Sequence, residues 1–175
     1  MKPFIDETAP DLPRKTRRAV GYSWRRIVAR LLILLCISCL GLGGLSMNAQ
    51  RPSNLGVHAG LLTECPATPN SVSTQTRSPE HRMTPIPFVG SVTDAVEKIK
   101  QTVAKSFPRA RLITERDGYL YYEFSSLLFR FIDDVEFLVD DRIREIHFRS
   151  ASRVGHSDLG ANRRRMMQLT EELKR

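Results

Sequence analysis

The segment from His147 to Arg165 (His-Phe-Arg-Ser-Ala-Ser-Arg-Val-Gly-His-Ser-Asp-Leu-Gly-Ala-Asn-Arg-Arg-Arg) gathers the side chains best suited to chemistry. Small, hydroxyl, arginine, histidine and glycine residues meet where a helix is expected to begin, and exposed backbone N–H groups and the helix dipole favour an anion there. Arg149, Ser152, Arg153, His156, Ser157, Asn162 and Arg163 are the candidate ligand-binding residues, for a carboxylate, a phosphate or a protein partner. A plainer reading stands beside it: Ser157 and Asp158 cap the helix, Asn162 and Arg163 tie it to the strand end, and Arg163–Arg165 are solvated. Asp133 and Asp158, with His156 near, are the weaker candidates for acid/base work.

Asp133 stands out because hairpin pairing puts it on an otherwise apolar sheet face. An isolated buried carboxylate costs many kcal/mol, so it must be ion-paired, hydrogen-bonded or protonated. Arg149 and Arg153 are its expected partners. Asp133 and its neighbour Asp134 point to opposite faces of a strand, which argues against a joint metal site. No nucleophile elbow, phosphate loop, zinc-protease helix or dinucleotide fingerprint occurs, so no catalytic residue, metal or cofactor is assigned.

The elements that hold these residues follow from local signals. Ser91 caps a helix with Asp94 three positions on, and Val92, Ala95, Val96, Ile99, Val103 and Phe107 share one face. Arg109–Arg116 and Tyr119–Ser125 flank Asp117-Gly118, a dipeptide suited to the positive φ angles of a tight hairpin. Phe129–Val139 and Ile143–Ser150 form a second hairpin across Asp140-Asp141, pairing Val135 with Ile146 and Asp133 with Phe148. That register sets Glu136 against Glu145, a like-charge clash. Asp158 to Leu173 reads as a final helix capped by Ser157, with Leu159, Met166, Leu169 and Leu173 inward. The expected fold class is α+β, a four-stranded antiparallel sheet of two hairpins with a preceding and a following helix on one face. The tyrosines at 119, 121 and 122 are expected to be sheet packing, and His58 and His81 solvated or turn residues.

Charge and hydropathy place this domain. Residues 1–30 carry eight Lys/Arg against three Asp/Glu, residues 31–64 one of each, and residues 65–175 eighteen against fifteen. The net charge of +8 therefore sits mostly ahead of the uncharged run Leu31–Met47 and is no nucleic-acid signature. Positive residues are retained in the cytoplasm. Residues 1–30 thus read as a basic cytoplasmic lead, 31–47 as a signal peptide or transmembrane anchor, 48–64 as a linker and 65–175 as the α+β domain, on the non-cytoplasmic side. Whether the segment is cleaved stays open. Cys36 and Cys39 lie within it, leaving Cys65 the one thiol of the exported part, without an intramolecular disulfide partner.

Cys65-Pro-Ala-Thr-Pro-Asn70-Ser-Val-Ser, His81-Arg-Met-Thr-Pro, Phe131-Ile-Asp-Asp-Val-Glu-Phe137 and the His147–Arg165 segment together resemble the domain-of-unknown-function family 1499, from about Leu55 to the C-terminus. The resemblance implies a bacterial, cyanobacterial or plastid protein behind a signal or transit sequence, in a periplasm-like or thylakoid-lumen compartment, and carries no activity with it. The chain departs from the family pattern at Ser71, where relatives often have a second cysteine. Three functions fit: an exported or membrane-anchored accessory or binding module using the 149–163 loop; a hydrolase-type enzyme using Asp133 or Asp158 with His156; and a purely structural membrane-anchored scaffold.

Overall fold

A computed structural model describes residues 21–47, 50–126 and 130–175. Most of the basic lead and the expected strand start at Phe129 lie outside these residues. The chain divides into two units, Met1–Ser38 and Cys39–Arg175. A long helix, α1, runs Gly21–Met47. Trp24, Ile27, Leu31–Leu35 and Ile37 on it are uncovered by other protein. Side chains of residues 38–47 lie outside the described ones, so the anchoring expectation is covered only in part. No helix among the described residues is long and apolar enough to cross a membrane.

The second unit has α+β architecture. A small ribbon of β1 (Val57–His58) and β2 (Leu61–Leu62) precedes β3 (Ser71–Ser73), β4 (Ile86–Pro87), α2 (Val92–Ser106), β5 (Ala110–Arg116), β6 (Tyr119–Ser125), β7 (Ile132–Asp140), β8 (Glu145–Ser152) and α3 (Ala161–Leu173). Among the described residues the main sheet has six strands, not the expected four, in the order β3-β8-β7-β6-β5, with β4 also pairing β8. The two extra strands come from the proline- and serine-rich stretch after Cys65. At two and three residues they are too short to show alternation, and Pro87 confines β4 to an edge.

The first hairpin forms as its turn residues require. Asp117 and Gly118 both take positive φ (48° and 77°), and a Cβ on Gly118 would sit 3.3 Å from the Val139 carbonyl oxygen. The Ser91/Asp94 capping box opens α2. The second hairpin differs from expectation. Its loop is four residues long, Val135 faces Ser150, and Glu136 faces Arg149, which removes the like-charge clash. Asp140 fixes the wider turn by accepting hydrogen bonds from the Arg142 amide (3.0 Å) and guanidinium. The register moves by four residues, an even number, so every side chain keeps its expected face.

Leu120, Tyr122, Phe124, Val135, Phe137, Ile146 and Phe148 on one sheet face meet Ala95, Ile99 and Val103 of α2 and Met166, Leu169 and Leu173 of α3 in a single core. Helix α3 starts at Ala161, later than expected, because the Asp158 carboxylate accepts hydrogen bonds from the amides of Gly160 (2.9 Å) and Asn162 (2.6 Å). Leu159, expected inward, is 84 % exposed. The opposite sheet face is polar yet covered. Residues 50–64, read as a linker from sequence, lie across it: Leu62 is buried with Tyr119 and Tyr121, and the Gly56 amide donates to Glu136 Oε1 at 2.8 Å.

Candidate functional site

Strand alternation sends consecutive residues of β7 and β8 to opposite sides of the sheet, and this divides the candidate residues into two groups. On the polar face, Arg153 donates to both Asp134 oxygens (3.0 Å each from Nε), to the Tyr121 hydroxyl (2.8 Å) and to Glu123. Arg51 reaches the same Glu123 oxygen at 2.7 Å. Arg149 donates to Glu136 at 3.3 Å, and Tyr119 donates to Glu136 at 2.8 Å. The Arg149 Nε has no hydrogen-bond partner among the described residues. Burial opposes the Arg153 charge, yet Asp134 and Glu123 hold its pKa above the ordinary arginine value. Burial likewise opposes the Glu123 charge, but hydrogen bonds from Arg153 and Arg51 win and lower its pKa. Burial, and then the Asp134 hydrogen bond, push the Tyr121 hydroxyl well up. These guanidiniums are matched to buried carboxylates, so Arg149 and Arg153 do not converge on an external anion.

On the core face, Asp133 is 6 % exposed. Its oxygens accept from Ser152 Oγ (2.5 Å) and from the Arg165 guanidinium (2.5 Å). The expected partners Arg149 and Arg153 are one residue out of phase with it, and the cation comes from α3 instead. Arg165, expected to be solvated, also donates to Ser150 Oγ at 3.1 Å and Asn162 Oδ1 at 2.7 Å, and its guanidinium lies 4.8 Å from the Phe124 ring centroid. A signal for Arg165 existed in the sequence: Asn162, Arg165, Met166 and Leu169 recur at helical spacing on one face.

Asn162 joins the pieces. Its Nδ2 donates to the Asn70 carbonyl (2.9 Å) and Ser152 Oγ (3.0 Å), while Asn70 Nδ2 donates to the Gly155 carbonyl (2.7 Å). The 153–160 loop is thereby pinned to the Cys65–Ser73 segment. Arg163 spends its guanidinium on the carbonyls of Glu80 and Arg82. His156 and Ser157 are exposed, and Ser157 Oγ accepts from the Leu159 amide at 3.2 Å. Asp158 is committed to capping α3. No hydrogen bond among the described residues links His156 to Asp133 or Asp158, so the geometry builds no proton relay between them. No group of three or more His, Cys, Asp or Glu among the described residues could hold a metal ion.

What the loop does build is a pocket of about 520 Å³, walled mainly by carbon and lined by Ser126, Phe131, Asp133, Ser152, Val154 and Ser157 among others. Ser126, which the sequence did not single out, and Phe131, which entered as the start of a family motif, are held at its rim by mutual hydrogen bonds of 2.9 Å. Across the Asp133–Arg165 pair lies a second depression of about 350 Å³, lined by Arg109, Phe124, Ser125, Ser126 and Arg165.

Elsewhere in the domain, His81 is a turn residue, one of the two roles expected of it, but a buried rather than a solvated one. It is 3 % exposed, and its Nδ1 lies 2.8 Å from the Ser71 carbonyl oxygen. Burial pushes the half-buried Cys65 thiol up in pKa, against hydrogen bonding from the Ser71 hydroxyl, which lowers it.

Residues 61–173 match the family model described as "Protein of unknown function (DUF1499)". No curated protein and no solved structure matches the chain.

Proposed function

The chain belongs to the DUF1499 family, and from that premise we propose that it is a non-enzymatic accessory module that binds a small, largely apolar ligand beside Asp133, carried behind residues 31–47 on the non-cytoplasmic side of a membrane. The observation that carries the binding reading is the pocket itself. Its volume, about 520 Å³, falls within the range of small-molecule sites, and such sites combine an apolar wall with a few fixed polar groups. Here the polar groups are Ser126, Ser152, Ser157, Asp158 and the edge of Asp133, each held by neighbours described above. The 149–163 loop is thus kept as the binding element, with its backbone and Val154 in the foreground rather than Arg149 and Arg153. The topology rests on the uneven charge about 31–47 and on the uncovered apolar side chains of α1.

Binding is tested with the neutral apolar dye N-phenyl-1-naphthylamine on the full-length chain held in amphipol, comparing wild type with Val154→Trp. Saturable binding of one dye per chain, weakened at least tenfold by a variant that keeps its circular dichroism spectrum, is the expected result. A dye that binds both proteins alike places it outside the pocket and sinks the reading. Orientation is tested by fusing alkaline phosphatase after residue 64; a fusion inactive in intact cells counts against export.

A further inference from the structure

We infer that the ligand is an amphiphile with an anionic head, the head seated against Arg109 and Arg165 and the apolar body in the pocket beside Asp133. This rests on the binding reading above and specifies its ligand class. The two depressions share Ser126 as a common wall, and the Asp133–Arg165 ion pair, 2.5 Å long, stands between them. A ligand reaching past Ser126 would use them as two ends of one groove with opposite character.

The smaller end is built for negative charge. A guanidinium has five N–H donors. Arg165 directs one to Asp133, one to Ser150 and one to Asn162, and it lines the depression with donors left over. Asp133 neutralises Arg165, but Arg109, which lines the same depression and is exposed, forms no ion pair among the described residues. The end therefore carries about one uncompensated positive charge, with the Ser125 and Ser126 hydroxyls beside it and no carboxylate among the described residues that line it. Ser106 also lines it, but its hydroxyl is donated to Glu172. Planar guanidiniums are the donors best matched to carboxylate and phosphate oxygens. The larger end offers mainly carbon, with two carboxylates in its lining that are already engaged, Asp133 by Arg165 and Asp158 by the amides of Gly160 and Asn162. One charged head and one chain-like body therefore suit the groove, whereas a free inorganic anion would leave its larger end empty.

The test displaces N-phenyl-1-naphthylamine from the full-length chain with octanoate, octyl phosphate and 1-octanol, on wild type and on Arg109→Gln. The expected result is that at least one anionic amphiphile displaces the dye tenfold or more better than 1-octanol. Arg109→Gln should reduce that advantage below threefold while leaving 1-octanol unchanged. The relative potency of octanoate and octyl phosphate tells a carboxylate head from a phosphate head. If 1-octanol competes as well as both anions, or if the advantage survives in Arg109→Gln, the anionic head is refuted while the apolar pocket stands. If 1-octanol and both anions all fail to displace the dye, the pocket reading fails and this inference with it.

Discussion

Arg165 of α3 holds Asp133 of β7 at 2.5 Å, with Asp133 6 % exposed and the Arg165 side chain 12 % exposed. A pair this well enclosed contributes little net stability over apolar residues of the same shape, but removing one partner strands a buried charge. Arg165→Gln should therefore lower the free energy of unfolding by about 3 kcal/mol, as loss of a buried partner typically does. Adding Asp133→Asn to that variant should restore a large part of the loss. Urea denaturation of the four proteins checks this as a double-mutant cycle, and a double variant no better than Arg165→Gln would show that the pair is not coupled.

Glu123 provides an internal comparison of exposed and buried ion pairs, because Arg51 and Arg153 reach the same oxygen from environments 49 % and 5 % exposed. Arg51→Ala should cost under about 1 kcal/mol, and Arg153→Ala about 3 kcal/mol or more, since it also abandons Asp134. Glu123 has a lowered folded-state pKa. Its contribution is thus present above the unfolded carboxylate value near 4 and lost as pH falls through the folded value. In a Glu123→Gln variant, the acid-induced loss of stability measured by urea denaturation below about pH 4 should be shallower than in wild type.

The parts of the fold that could be read from residue order are those decided within a few residues. The Ser91 capping box and the Asp117-Gly118 turn belong to this class, as does the face each β7 and β8 side chain takes. What could not be read depends on partners distant in the chain. The β7–β8 register is settled by Glu136 meeting Arg149 and by Asp140 clasping Arg142, which favours four loop residues over two. The strands β3 and β4 owe their existence to β8 and have no periodicity of their own. At the candidate site, the cation that meets Asp133 is Arg165 rather than the expected Arg149 or Arg153. Arg153 follows Ser152 by one position and so turns to the face away from Asp133, towards Asp134, whose pairing needed the sheet to be seen. The depression lined by Arg109 unites the end of α2, the β6 end and α3, three places no local pattern connects.

His147 gives a pH signature in a different range. Burial holds its pKa below the ordinary histidine value, despite Glu145 and Asp140 nearby, which raise it. Its Nδ1 lies 3.1 Å from Thr74 Oγ1. The unfolded chain therefore binds the proton more readily than the folded one, so stability is full above about pH 6.5 and declines as pH falls below it. Thermal melts between pH 7.5 and 5 should show this decline in wild type, and His147→Gln should flatten it. An unchanged slope in the variant would assign the decline to another group.

Cys65 and Ser71 make the last prediction, because the Ser71 hydroxyl is near enough to the Cys65 thiol to favour its thiolate against burial. Ser71 is 5 % exposed and fixed in β3 against Ala151 of β8, so a cysteine placed there would hold its sulfur close to that of Cys65. In Ser71→Cys, a disulfide should form under a glutathione redox buffer, closing a short loop. Chain-entropy reasoning gives a loop of this size about 2 kcal/mol of stabilisation, offset in part by loss of the Ser71 hydroxyl's contact with His81 Nδ1 at 3.2 Å. Mass spectrometry should show loss of two hydrogens and protection of both thiols from alkylation, with a melting temperature that falls on reduction. The half-buried, raised-pKa thiol of wild-type Cys65 should by contrast react slowly with iodoacetamide at pH 7, since the thiolate is the nucleophile. Two freely alkylated thiols in the oxidised variant would mean that Cys65 and residue 71 do not face each other, and would also detach the loop of Asn70 from the position that the Gly155 and Asn162 hydrogen bonds give it.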